Sequence, residues 1–240
     1  MEQGRTLPNN KITQFILRID IAHNIALDYK FIAEKLKNDF ENYRTELHSN
    51  YNVNIDDIQV TKEDFIKYLL STAATNIKLD SFEKCIIVDL YQYIDCESYM
   101  PYLKKIIQIL KSFQIEINAR RIGMRYINIF PCSKISEINK ILDSTDAKSL
   151  KESLNEEKII RSMIVREYQY GDSLSRVQFG IPNKFYPSIL KNYDIVLDID
   201  VYSSGNQEID TWEESIMQLN HQAYDIFIKY IKESYLQTLE

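Results

Sequence analysis

The chain has 240 residues, 45% of them hydrophobic and 27% charged, enough to bury a sizeable core without disulfide or metal staples. Its 29 basic and 35 acidic residues leave a formal net charge of −6, which argues against broad capture of nucleic acid or of an anionic membrane surface. The five glycines (Gly4, Gly123, Gly171, Gly180 and Gly205) cannot be spaced into a G-x-G-x-x-G or G-x-x-x-x-G-K-[ST] phosphate cradle.

Residues 1–10 read as a loose arm ending in Pro8-Asn9-Asn10. Thr13, Phe15, Leu17, Ile19 and Ile21 then recur at period two, with Arg18 and Asp20 pointing the other way, which predicts a half-buried strand over 11–21. Phe31, Leu36, Phe40, Tyr43 and Leu47, at steps of three to five, predict an amphipathic helix over 27–48, with His48 as a cation at its C-terminus. Short strands fit 52–60, 64–72, 75–79 and 84–93. Tyr102, Ile106, Leu110 and Phe113 form the stripe of a second helix over 98–113, whose first turn accommodates Pro101.

A strand over 116–130 ends at Pro131, and the polar segment 133–156, with a helical piece near 135–142, reads as a hinge. Strands at 157–169 and 173–181 follow, joined by a turn at Tyr170-Gly171-Asp172, then another at 194–202. The last helix, 212–237, opens with a capping-box pattern of Thr211 and Glu214. The expectation is an α+β fold of two lobes of mainly antiparallel sheet with helices packed on them, ordered βαββββαβ and then βββα. The N-terminal α+β lobe would span 11–131, the connecting segment 132–156 and the C-terminal lobe 157–240.

Cys85, Cys96 and Cys132 are odd in number and lack C-x-x-C spacing, which fits free thiols in a reducing compartment. No uninterrupted apolar run approaches the ~18 residues of a membrane span, and Met1-Glu2-Gln3-Gly4-Arg5 has no apolar signal core, so a cytoplasmic protein is expected.

The densest polar cluster runs from Arg120 to Asn128. On a strand, Arg121, Gly123 and Arg125 share one face, while Met124, Tyr126 and Asn128 share the other. Two guanidiniums flanking a glycine leave a cationic notch that fits a phosphate or carboxylate, which makes Arg121, Gly123, Arg125, Tyr126 and Asn128 the candidate binding residues. The competing reading pairs these arginines with acidic residues of a neighbouring strand, Gly123 marking a bulge or a close approach.

Asp198 and Asp200, at i and i+2 with Asp194 on the same face, are weak candidates for a divalent metal site. No third or fourth ligand accompanies them, and salt bridges to Arg121 or Arg125 are the simpler use. His23, His48 and His221 form no H-x-x-x-H pair, and no G-x-S-x-G elbow occurs; no catalytic residue and no cofactor is expected. Tyr91, Tyr93, Tyr99 and Tyr102 form either a partner-binding patch or simply core.

Arg121-Ile122-Gly123-Met124-Arg125-Tyr126-Ile127-Asn128 resembles the R-[IL]-G-[LM]-R-Y-[IL]-N signature of an uncharacterised, sporadically distributed prokaryotic family of similar length. Leu197-Asp198-Ile199-Asp200, Leu219-Asn220-His221 and Phe227 are similar to two weaker motifs of that family, while the proline-rich lead expected before the first strand is shortened to Leu7-Pro8. The resemblance carries no activity; the family's patchy distribution implies mobile islands, anti-phage defence loci among them. The expected function is therefore a non-catalytic interaction or sensor subunit of such a system, with a protein partner encoded nearby. Two alternatives stand beside it: a metal-dependent phosphoesterase or nuclease using Asp198 and Asp200, with Arg121 and Arg125 holding phosphate, and a small-ligand sensor with a nucleotide-like or signal molecule seated between the lobes; an anionic small ligand is the other partner considered.

Overall fold

In the computed structural model, which describes residues 7–54, 59–154, 160–188, 190 and 192–240, alternating apolar and polar residues produce nine strands. They are β1 (Ile12–Ile21), β2 (Asn42–Asn54), β3 (Gln59–Ser71), β4 (Thr75–Asp80), β5 (Cys85–Leu90), β6 (Asn118–Phe130), β7 (Ser162–Tyr170), β8 (Ser173–Ile181) and β9 (Ile195–Glu208). All join one antiparallel sheet in the order β2-β3-β4-β5-β1-β6-β9-β8-β7. The helices are α1 (Tyr29–Leu36), α2 (Met100–Lys111), α3 (Ile138–Ile141), α4 (Ser144–Leu154), α5 (Trp212–Tyr230) and α6 (Glu233–Leu236), so the fold is α+β.

Helices cover one face of the sheet. Phe15, Leu17, Ile19 and Ile21 of β1, Ile122, Met124 and Tyr126 of β6, and Leu197, Ile199 and Val201 of β9 are buried beneath them in a single core. Leu103, Ile106, Ile107 and Leu110 recur at i, i+3, i+4 and i+7 on α2, whose first turn holds Pro101 where a helical N–H has no partner. The opposite face is open and carries Arg18, Asp20, Lys78, Asp80, Arg121, Arg125, Asp198 and Asp200. This is the one-side-packed, one-side-polar arrangement typical of antiparallel sheets.

The chain departs from the sequence reading at several points, among them the last helix, which ends at Tyr230, after which Ile231 pairs with Leu142, instead of running to 237. The segments 11–131 and 157–240, expected as two lobes, are halves of one sheet, because β6 pairs with β9 from Asn118 opposite Glu208 to Phe130 opposite Ile195. The intervening segment carries α3 and α4, and Asp146 of α4 grips Arg166 of β7 at 2.7 Å.

Next, α1 stops at Leu36, a tight turn spans Lys37–Asp39, and the chain is extended from Asn42. Pairing of β2 with β3 overrides the helical spacing, and His48 lies in β2, stacked on Phe65 at 5.5 Å rather than ending a helix. Finally, Thr211 does not cap α5. Its Oγ1 donates to the Glu208 carbonyl at 2.8 Å, while Trp212 Nε1 anchors the helix start on the Gln207 carbonyl at 3.0 Å.

Among the described residues no helix is long and apolar enough to cross a membrane.

Candidate functional site

Strand alternation builds the site on the open face. Arg121, Gly123 and Arg125 of β6 lie between Asp20, Arg18 and Ile16 of β1 on one side and β9 on the other. The result is a lattice of alternating charge. Arg18 Nη2 meets Glu83 at 3.0 Å and Arg18 Nε meets Asp20 at 2.7 Å. Arg121 reaches Asp20 at 3.9 Å and Asp200 at 3.5 Å. Arg125 clamps Asp198 with Nε at 2.9 Å and Nη2 at 2.6 Å.

The two contacts differ in kind. Arg125–Asp198 is a bidentate, charge-assisted pair over a carboxylate that is 8% exposed. Its hydrogen bond to Asp198 raises the Arg125 pKa above the usual arginine value. Arg121 instead makes two long contacts and lies over the Tyr202 ring, 4.4 Å from its centroid. The Asp200 carboxyl is pushed up by burial and by the neighbouring Asp198 charge, against the pull of Arg121 and Arg125.

Of these side chains Arg18, Arg121, Arg125 and Asp200 line a groove of ≈ 1050 Å³, which Arg44, Ser71 and Lys78 also line. Arg18, Arg44, Lys78, Arg121 and Arg125 outnumber Glu41, Asp89 and Asp200 along it. An anionic group entering the groove meets in Arg121 a guanidinium held only by long carboxylate contacts.

The structure divides the candidate binding residues between two faces. Arg121, Gly123 and Arg125 share the open groove; Tyr126 and Asn128 do not reach it, because successive β6 side chains alternate. Tyr126 donates to Asn220 Oδ1 at 2.6 Å on the helix side, and Asn128 Nδ2 donates to the Leu197 carbonyl at 3.1 Å. Both line a second cleft with Asn220 and His221.

Asp198 and Asp200 share the open face but turn to different arginines, and Asp194 accepts from the Cys132 N–H at 3.2 Å. Among the described residues no group of three or more His, Cys, Asp or Glu side chains could hold a metal ion. In the tyrosine cluster Tyr99 is core, stacked on Phe15, whereas Tyr91 is 46% exposed. Sequence reasoning did not connect Arg18 and Asp20 to the central motif. Their polar signal inside an apolar alternation was visible, but the β1–β6 register that places them beside it was not.

Gly123 is explained by Arg121. A Cβ there would sit 3.1 Å from Arg121 Nη2, 3.2 Å from its Cζ and 3.2 Å from Tyr202 Cβ. The glycine lets the guanidinium lie flat across the strand. Gly123→Val should cost about 1–3 kcal/mol in urea denaturation through overpacking. Removing the guanidinium in Gly123→Val/Arg121→Ala should recover most of that loss. Strict additivity of the two changes would locate the obstruction at Tyr202 instead.

The chain matches no protein-family model and no curated protein sequence.

Proposed function

We propose that this chain is a non-catalytic interaction or sensor subunit of a bacterial mobile-island system of the anti-phage defence kind, acting on a protein partner encoded nearby. The supporting observation is the β2–β3 hairpin. β4 pairs only with Lys67–Ser71 of β3, so the rest of β3 pairs with β2 alone and the two strands run on as a ribbon. Leu47 is 70% exposed, Tyr51 60% and Val60 63%, and Leu47 stands opposite Ile66 on the side that buries Tyr68 and Leu70 further along. A two-stranded ribbon cannot bury such a stripe by itself, and β2 also offers the sheet an unpaired edge. Both features suit a protein partner that adds to the sheet and covers the stripe. The mobile-island setting rests on the resemblance of Arg121–Asn128 to its signature.

Pull-down of the tagged chain expressed with its native neighbouring genes should yield a stoichiometric partner. Leu47→Lys combined with Tyr51→Lys should weaken that complex at least about tenfold while leaving the melting temperature unchanged, since both side chains are exposed. Turnover of nucleotides or nucleic acid by the purified chain would overturn the reading. So would a melting temperature that rises with Mn²⁺ in the natural chain but not in Asp198→Ala. The arginine partners of Asp198 and Asp200 argue against that metal-dependent alternative.

A further inference from the structure

The helix-side cleft that receives Tyr126 and Asn128 has a volume of ≈ 620 Å³, within the ~300–1,000 Å³ range of pockets that bury small organic ligands. Its floor is sheet, one wall is α5, and the other is the start of α2 with the loop before it. Tyr93 and Tyr126 meet edge-to-face with centroids 5.5 Å apart, giving the cleft an aromatic side. Burial pushes both hydroxyls above the usual tyrosine range, so they remain O–H donors.

Both hydroxyls point at one atom. Asn220 Oδ1 accepts from Tyr126 at 2.6 Å and from Tyr93 at 3.5 Å, so the amide turns its oxygen to the two phenols. Asn220 Nδ2 is then left as a donor, and the adjacent His221 ring supplies a donor or acceptor. Neither has a hydrogen-bond partner among the described residues. A donor amide beside an imidazole matches a ring edge that carries an acceptor next to an N–H. Asp95 and Glu97 against the single Lys104 make the loop and α2 side acidic, which disfavours a phosphorylated ligand.

We propose that this cleft binds an uncharged, planar, nucleobase-bearing molecule of the nucleoside class, with Asn220 and His221 reading the base edge and Tyr93 and Tyr126 walling its ring. The proposal deepens the sensor half of the function above without requiring the partner. Its failure and that of the subunit reading are therefore separable: nucleoside binding with no partner leaves this site standing, and a partner with no nucleoside binding removes only this site.

The test is calorimetric titration of the full chain with adenosine, guanosine, cytidine and uridine, and with their 5′-monophosphates. At least one nucleoside should bind one-to-one with a Kd below about 100 μM, and its monophosphate should bind at least about tenfold more weakly. Cys96 lines the cleft and is partly exposed, whereas Cys85 and Cys132 are buried. Bound nucleoside should therefore slow alkylation of Cys96 in the unaltered protein. Met217→Trp, which fills the cleft from α5, should weaken binding at least about tenfold with an unchanged melting temperature. The proposal falls if none of the four nucleosides binds, if a monophosphate binds more tightly than its nucleoside, or if binding leaves Cys96 alkylation unchanged. The last readout decides even if Met217→Trp does not fold.

Discussion

Gly180→Val should destabilise the protein by about 3–5 kcal/mol, the range reserved for substitutions with a specific structural cause. Gly180 sits in β8 between Met163 of β7 and Val196 of β9, with φ +144. A Cβ there would lie 2.2 Å from the Ser162 carbonyl oxygen and 2.9 Å from Met163 Cα. Both are backbone atoms, so no rotamer relieves the contact, and β7 must be pushed off β8. The positive φ adds a conformational cost of roughly 1–2 kcal/mol for any L side chain. Gly171 is the control. Its φ of +57 carries the same conformational cost, but nothing lies within 4 Å of an added Cβ, so Gly171→Ala should cost only that, about 1–2 kcal/mol. Urea denaturation followed by circular dichroism separates the two. A Gly180→Val loss no larger than that of Gly171→Ala would mean that β7 and β8 do not pair in this register.

Gly180 and Gly123 also show what the sequence could and could not say. A glycine inside a strand signals a bulge or a close approach, which the sequence reading raises at Gly123 alone; close approach holds at both positions, but the approaching group differs. At Gly180 it is the neighbouring backbone; at Gly123 it is an arginine two residues away on the same strand. The period-two runs of β1, β6 and β9 were legible because each strand has one buried face, which leaves the alternation clean. The expected helix over 27–48 takes in the first half of β2, Asn42–His48, although Tyr43 and Leu47 alternate there with Arg44, Glu46 and His48. Phe40 and the exposed positions of Tyr43 and Leu47 happened to fit steps of three and four.

The single sheet was illegible for another reason. The salt bridges expected from Asp198 and Asp200 to Arg121 and Arg125 are present and join residues 73 positions apart at the Arg125–Asp198 clamp. Complementary charge alone does not mark a thirteen-residue strand register or the merging of two lobes into one sheet. Strand alternation puts Tyr126 on the face opposite the arginines, but it does not show what Tyr126 meets there. Its neighbour in sequence is Arg125, but its neighbour in space is Asn220, 94 positions away.

Asp80 carries the second large effect, and it ties stability to the charge of the open groove. Its carboxylate is fully buried at the end of β4, where Oδ1 accepts the N–H groups of Phe82 at 3.2 Å and Glu83 at 3.1 Å. Oδ2 faces the Lys67 ammonium at 3.1 Å and that of Lys78 at 3.3 Å. Burial alone would raise the carboxyl pKa; the Glu83 N–H and the two lysines outweigh it and hold the value below the usual aspartate one.

A lowered folded-state pKa gives stability that is present above the unfolded value, near pH ~3.9, and is lost as pH falls through the folded value. Asp80→Ala should cost about 3–5 kcal/mol at neutral pH, since it strands two lysines and two turn N–H groups together. Asp80→Asn keeps an acceptor for the turn and should cost less, roughly 2–4 kcal/mol, because the lysines retain partial access to water. The stability gap between the natural chain and Asp80→Asn should hold steady above about pH 5 and close as pH drops below about pH 4. A gap that stays constant into acid would assign the loss to shape rather than charge. Lys78 lines the same groove as Arg121 and Arg125, so the acidic partners of the open face hold the sheet together and also limit how strongly the groove attracts an anion. Asp80→Asn should therefore lower stability and raise sulfate affinity together, and either change without the other would separate the two roles.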